Sequence, residues 1–408
     1  MWRTLSLLVF ITALGGCSQL SVRSNLATPL PAQLCTPAPS CPACPICPVT
    51  EPPKPAVPPL QSASWEELPG WNDDDPKVAF EGFLASCANL EKKVLWKITC
   101  SRAREIEDRS ATKLRGWFEE HFQPWALSNP DGSRTGLITG YYEPVLKGSR
   151  HRSNAYPHPV FAPPDDLIAI DLADLYPELK HLRLRGRIEG RKLVPYYSRE
   201  EWSLQESKRS QNAILWIDDA IDLFFMQIQG SGQVQLTDGT RVRLNYADQN
   251  GHPYRSIGRW LIDQGELNAS QASMQGIKAW AKNHPKRLGE LLNANPSLVF
   301  FREMAADGSG PPGALGIPLT PQRSIAVDPR HITLGAPVWL ATTKPNSEQV
   351  LTRLMLAQDT GGAIRGVVRG DFYWGTGTEA GNQAGKMRQQ GRMWILLPRG
   401  QNPESTAN

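Results

Sequence analysis

The sequence predicts a mainly β chain with separate helical segments, an α+β fold, carried on an extended N-terminal tether. Three observations point to it. Helical spacing of apolar residues is confined to 78–107, 111–122, 254–265 and 270–293. Short β-like runs broken by Gly and Pro fill the stretch from Thr135 to Tyr246 and return over 315–345 and 350–398. Before about residue 62 the chain is dominated by Pro, Ser and Ala. With 408 residues, 40% of them apolar and 13 of them Trp, the chain can bury two cores. A formal charge of +4 is too mild to indicate nucleic acid, and no nucleic-acid-binding motif accompanies it.

The first residues read as an export signal (1–16) ending at a lipid-attachment cysteine. Arg3 supplies the positive end, an apolar run extends from Leu5 to Leu14, and Leu14-Gly15-Gly16-Cys17 closes it. That run is too short to stay in a bilayer as a spanning helix. Small residues before Cys17 resemble the bacterial lipobox, and diacylation there gives lasting membrane attachment. Ser18, where Asp would retain an inner-membrane lipoprotein, favours the outer membrane with the chain facing the periplasm. Residues 17–62 then form the lipidated Cys17 and a tether, extended at roughly 3.1 Å per residue where it is Pro-rich. Within it, Cys35, Cys41, Cys44 and Cys47 are interrupted by Pro42 and Pro45. In an oxidising compartment that pattern reads as disulfides or interchain crosslinks rather than a metal site.

Folded structure is expected from near Trp65. Phe80, Phe83, Leu84 and Leu90, then Leu114, Trp117, Phe118 and Phe122, have helical spacing. Cys87 and Cys100 fall among them and suit a bridge between two packed helices or across the turn joining them. Strands are expected at Gly136 to Tyr142, Leu223 to Gln229, Val234 to Leu236 and Arg241 to Tyr246, with Asp238-Gly239 turning the last two into a hairpin. Further strands centre on Val338-Trp339-Leu340, Leu354-Met355-Leu356 and Trp394-Ile395-Leu396-Leu397. No internal repeat is evident.

Three carboxylates end or begin such strands. Asp328 follows Ile325-Ala326-Val327, Asp359 precedes Thr360-Gly361-Gly362, and Asp371 lies between Gly370 and Phe372-Tyr373-Trp374. Strand ends are where rigid β scaffolds hold site residues. If Asp359 and Asp371 converge, mutual repulsion keeps one of them protonated near neutrality, as a general acid requires. The adjacent aromatics suit desolvation or stacking on a sugar ring. Taken singly, an aspartate beside glycine more often caps a turn.

The ordered motifs are Thr139-Gly140-Tyr141-Tyr142-Glu143-Pro144, Phe224 to Gly232, Asn250 to Gly258, Ala326-Val327-Asp328-Pro329, Ala357 to Gly366, and Asp371-Phe372-Tyr373-Trp374-Gly375. In this order they resemble the membrane-bound lytic transglycosylase A family with its C-terminal three-aspartate module, over about residues 68–398. The resemblance implies a double-psi β-barrel carrying the aspartates, a second β-barrel inserted into it, and a groove between them. On this chain the insert corresponds to 136–265 and the first domain to 63–135 plus 266–400. It also implies cleavage of the β-1,4 bond between N-acetylmuramic acid and N-acetylglucosamine in peptidoglycan, forming 1,6-anhydromuramic acid. Asp371 would be the single acid/base, with Asp359 and Asp328 in support. Thr139, Tyr142, Gln229 and Ser231 would contact the glycan. Glu143 is a spare carboxylate, and His252 and Arg255 suit a turn or domain junction. Partners would be peptidoglycan strands, the membrane through its lipid anchor, and cell-wall synthesis or division proteins.

Other readings remain open at this point. They are a hydrolytic muramidase acting at the same bond, a non-catalytic peptidoglycan-binding lipoprotein, and an aspartic peptidase, since Asp359-Thr360-Gly361 matches that signature. The chain has no second Asp-Thr-Gly or Asp-Ser-Gly, so such a peptidase would have to be a symmetric dimer. Zinc-protease, Walker and nucleophile-elbow motifs are missing, and neither metal nor cofactor is expected.

Overall fold

The computed structural model describes residues 57–179 and 182–401. Cys17, the signal segment and the tether cysteines lie outside the described residues. Six strands close on themselves through hydrogen bonds. Their order around the ring is Gly136–Glu143, Arg388–Pro398, Pro337–Thr343, Val350–Asp359, Ser324–Val327 and Gly370–Thr376, which returns to Gly136–Glu143. Two contacts are parallel: Ser324–Val327 with Val350–Asp359, and Gly370–Thr376 with Gly136–Glu143. Phe122–Leu127 extends the ring along Arg388–Pro398.

The helical spacing near the N-terminus resolves into Lys77–Leu90, Val94–Arg104 and Ala111–His121. Their apolar faces put Phe80, Phe83, Trp96 and Phe118 into one core with Phe122 of the adjoining strand and Val338, Trp339 and Leu354 of the ring. Aromatic edges meet there, as between Phe80 and Trp117 (5.4 Å) and Phe83 and Phe122 (5.7 Å). Such pairs add about 0.5–1.5 kcal/mol each beyond the area they bury. A disulfide joins Cys87 and Cys100, so the bridge runs between the first two helices.

A second sheet is threaded between the first and second ring strands in chain order. It runs Val299–Ala305, Arg241–Gln249, Ser231–Leu236, Val145–Ser149, Ala213–Ile217 and His158–Phe161. The expected boundaries of the insert therefore move. Gly136–Glu143 pairs with Gly370–Thr376 and belongs to the ring. At the far end, Val299–Ala305 pairs with Arg241–Gln249, so the insert passes residue 265 and takes in the helix Met274–Asn283 as well as Ile257–Asp263. No hydrogen-bonded pairing closes this second sheet among the described residues.

One expected strand is a helix. Residues 223–229 lie in Ala220–Gln229, whose start is capped by Asp219 accepting from the amides of Ile221 and Asp222 and whose end is Gly230 at φ 81°. The run is apolar on two sides because it serves two cores. Leu223 and Met226 face the inserted sheet, while Phe224 and Phe225 pack with Ile257, Leu261 and Trp280. Burial on both sides erases the one-sided stripe that marks a surface helix.

Candidate active site

A row of in-register residues crosses four ring strands: Asp359, Ala326, Asp371 and Thr139. In-register neighbours face the same side of a sheet, and two strand spacings of about 4.8 Å separate the backbones of Asp359 and Asp371 by roughly 10 Å. This row floors a cleft of about 680 Å³ between ring and insert, within the usual size for ligand sites. Gln229, Gly230 and Ser231 line its other wall, delivered by the end of the capped helix and the start of the next strand.

Asp371 has a single hydrogen-bond donor among the described residues. Thr139 Oγ1 donates to its Oδ1 at 2.5 Å, and that hydroxyl accepts from Arg369 Nη2 at 2.8 Å. Asp371 lines the cleft, and its Oδ2 has no hydrogen-bond partner among the described residues. Burial pushes the carboxyl up to about 6, against the opposing pull of Thr139 and Arg369. Repulsion from Asp359, the expected cause, is the smallest contribution, because the Ser324–Val327 strand stands between the two carboxylates.

Asp359 lines the same cleft, but its oxygens are taken. Oδ1 accepts from the amides of Ala314 (3.0 Å) and Thr360 (2.9 Å), and Oδ2 accepts from Tyr141 Oη (3.0 Å). Burial still moves its pKa upward against those bonds. Tyr141 is thereby both core and cleft, its ring tilted against that of Tyr373 with centroids 5.1 Å apart.

Asp328 is elsewhere. It is fully buried outside the cleft lining, held by Arg330 Nε at 2.9 Å and by the amides of Gly366 (2.9 Å) and Arg330 (3.2 Å). Burial pushes its pKa up, but these donors together outweigh it and bring the carboxyl down to about 2. It thereby ties down the loop that leads into the Asp371 strand, and it does not line the cleft.

Tyr142 also stays out of the cleft. Strand alternation turns its ring to the side opposite Tyr141, where it packs with Ala380 and Ala384. Only its backbone amide reaches the site, donating to Gln229 Oε1 at 3.0 Å and so fixing that side chain. Phe372, Tyr373 and Trp374 are likewise not cleft residues. Phe372 is in the ring core, Tyr373 backs Tyr141, and Trp374 lies against Gly140, where a Cβ would come within 2.7 Å of the indole. Desolvation of Asp371 is thus supplied from beneath, and no aromatic of this motif is placed to stack on a sugar. Glu143 is fully buried by Arg243 (2.6 Å), Gln233 (2.8 Å) and Thr376 (2.8 Å), and is no spare acid. His252 Nε2 is at 2.7 Å from the Tyr196 carbonyl, and the backbone amide of Arg255 donates to Asn295 at 3.1 Å, both within the insert.

Arg369 was not anticipated. It stands one residue before the strand Gly370–Thr376, where strand alternation does not fix its direction. Arg183, Arg199 and Arg302 were also missed, because they come from separate segments that only the fold gathers.

Residues 137–302 match the family described as the MltA specific insert domain, and residues 323–397 match the 3D domain. Membrane-bound lytic murein transglycosylase A of Escherichia coli (strain K12) is 34% identical over 280 residues, covering 67% of this chain and 68% of that protein. The crystal structure of MltA from Neisseria gonorrhoeae superposes with a TM-score of 0.73 at 37% identity, covering 86% of this chain and 97% of that one. The structure of E. coli MltA with bound chitohexaose gives a TM-score of 0.60 at 26% identity, covering 85% and 92%. Strand order, the aspartate row and these likenesses converge: the chain belongs to the membrane-bound lytic murein transglycosylase A family, a family of murein-degrading lytic transglycosylases.

Proposed function

We propose that this lytic transglycosylase cleaves the β-1,4 bond between N-acetylmuramic acid and N-acetylglucosamine with Asp371 as its only acid/base. Protonated Asp371 gives its proton to the glycosidic oxygen, and the C1–O bond breaks as the N-acetylglucosamine side leaves. The resulting carboxylate then takes the proton of the muramyl C6 hydroxyl, whose oxygen bonds to C1 and closes the 1,6-anhydro ring. Protons balance: the residue ends as it began, and no water is consumed. The substrate's own hydroxyl, already held in place, stands in for a second catalytic group.

One observation carries this reading. Of the two carboxyls in the cleft, Asp371 alone combines a pKa near neutrality with an oxygen not engaged by protein. Hydrolysis usually requires a second carboxylate to activate water or attack the sugar. Asp359 is the candidate for that task, and three donors already occupy it. We assign it to holding the Ala314 loop and Tyr141 against the cleft, with Thr139, Gln229 and Ser231 as sugar contacts. The related E. coli protein with bound chitohexaose supports a groove shaped for β-1,4-linked amino sugars. Six closed strands with two parallel contacts fit the double-psi topology for the ring. For the leader we propose lipidation at Cys17 and an outer-membrane, periplasm-facing location.

The test is product mass. Purified sacculi digested by the enzyme should release muramyl products lighter by one water than those of a muramidase. Reducing muramyl ends in their place would overturn the mechanism.

A further inference from the structure

The wall of the cleft supplied by the insert carries Arg183, Arg199 and Arg302, and no carboxylate of the insert lines it. Arg199 is the most telling. It is only 9% exposed and lies with its guanidinium 4.7 Å from the Phe224 ring centroid. Nε donates to the Asn295 carbonyl at 3.1 Å and Nη2 to the Ser297 carbonyl at 2.6 Å, which fixes the fork. Among the described residues Nη1 has no hydrogen-bond acceptor, and no Asp or Glu forms an ion pair with Arg199. Burial pulls its pKa down to about 9. A buried cation without a counter-charge is costly and gains most from an arriving anion. Arg302 lines the same cleft from Val299–Ala305, exposed and with no ion pair among the described residues. Arg183 lies over the Tyr246 ring, 5.4 Å from its centroid.

We propose that Arg199, Arg302 and Arg183 form a carboxylate subsite that recognises the acidic groups of murein strands and sets them apart from neutral β-1,4-linked amino-sugar polymers. The proposal rests on the cleft being the glycan site. Its ligand chemistry has two possible sources in murein: the lactyl carboxyl of muramic acid where no peptide is attached, and the carboxyls of the attached peptides. Guanidinium forks are the side chains best matched to either.

The experiment measures affinity of the Asp371→Asn protein for four soluble ligands: peptide-free and peptide-bearing murein strands, each with its carboxyls free or amidated. In the background of that variant, the double change Arg183→Ala/Arg302→Ala, at exposed positions, should lower the ratio of acidic to amidated affinity about tenfold, the worth of one hydrogen bond to a charged group. Arg199→Lys, which keeps the charge but loses the fork, should lower the same ratio. A fall with peptide-free strands assigns the lactyl carboxyl, and a fall confined to peptide-bearing strands assigns the peptide carboxyls. An unchanged ratio overturns the subsite. Failure of the acid/base reading would be visible separately, as cleavage of the strands by the Asp371→Asn protein.

Discussion

Asp328 follows the strand Ser324–Val327, and Asp371 sits on the antiparallel neighbour of that strand, yet the same side chain is driven in opposite directions. Behind the loop that leads into the Asp371 strand, Asp328 collects a guanidinium and two backbone amides and is held down to about 2. At the cleft, Asp371 has one hydroxyl and an arginine acting through it, and rises to about 6. Both are substantially enclosed by protein, so enclosure alone does not decide the charge state. The number and kind of donors does. A carboxyl surrounded by donors is a structural anion; one given a single donor and a dry wall is poised to exchange a proton near neutral pH.

Removing the poised carboxyl is the harshest test of that contrast. Asp371→Asn should lower the rate of sacculus clearing by about 10²–10⁴-fold, the usual worth of a general acid, with no loss in the thermal midpoint. Clearing at the wild-type rate would end its assignment. The next largest effect belongs to the buried anion joining ring and insert. Glu143→Gln leaves Arg243 without its close partner, and should cost about 3 kcal/mol in denaturant unfolding. Asp307, 3.8 Å from Arg243 but mostly exposed, softens that loss. If this variant instead changed the products from anhydro to reducing ends, Glu143 would regain a chemical role.

The two aspartates also predict opposite pH dependences. Asp328 lies below the ordinary 3.8, so its stabilising contribution is present above about pH 4 and lost as pH falls towards 2. Asp371 lies above 3.8, so the fold favours its protonated form. Its stabilising contribution is full below about pH 4 and lost as pH rises through 6. Activity follows the same proton, and kcat/KM should decline as pH rises through about 6. Asp328→Asn should remove the acid limb of unfolding stability while leaving that activity limb in place. A shift of the activity limb would mean that the two sites are coupled.

Much of this division was written in local sequence. Each aspartate was legible as a strand terminus from its Gly or Pro neighbours, and Cys87 with Cys100 read as a structural pair. The ordered motifs carried the family. What was not legible was direction and company. Alternation alone could show that Tyr141 and Tyr142 face apart, but not which of them faces the cleft. The apolar run at 223–229 looked like a strand because two cores claim it. Asp328 seemed a partner of Asp371, whereas Arg330 and Gly366, the first two residues on in sequence and the second brought by a loop, take its oxygens. Repulsion between Asp359 and Asp371 looked decisive until a whole strand was found between them.

The finest test concerns the one hydrogen bond that, with the charge of Arg369, keeps Asp371 from rising further. Thr139→Val is nearly isosteric, keeps a β-branched residue in a strand, and deletes only the hydroxyl. Without that donor the carboxylate loses its one hydrogen bond, the proton is held more tightly, and the alkaline limb of kcat/KM should move to higher pH. At the pH optimum the rate should still fall about tenfold, since a bond to a charged group of about 1.5 kcal/mol no longer orients the acid. Thr139→Ser restores the hydroxyl and should restore both readouts. A merely structural role would lower the rate in the Val variant without moving the limb, because packing defects do not change how firmly one oxygen holds its proton.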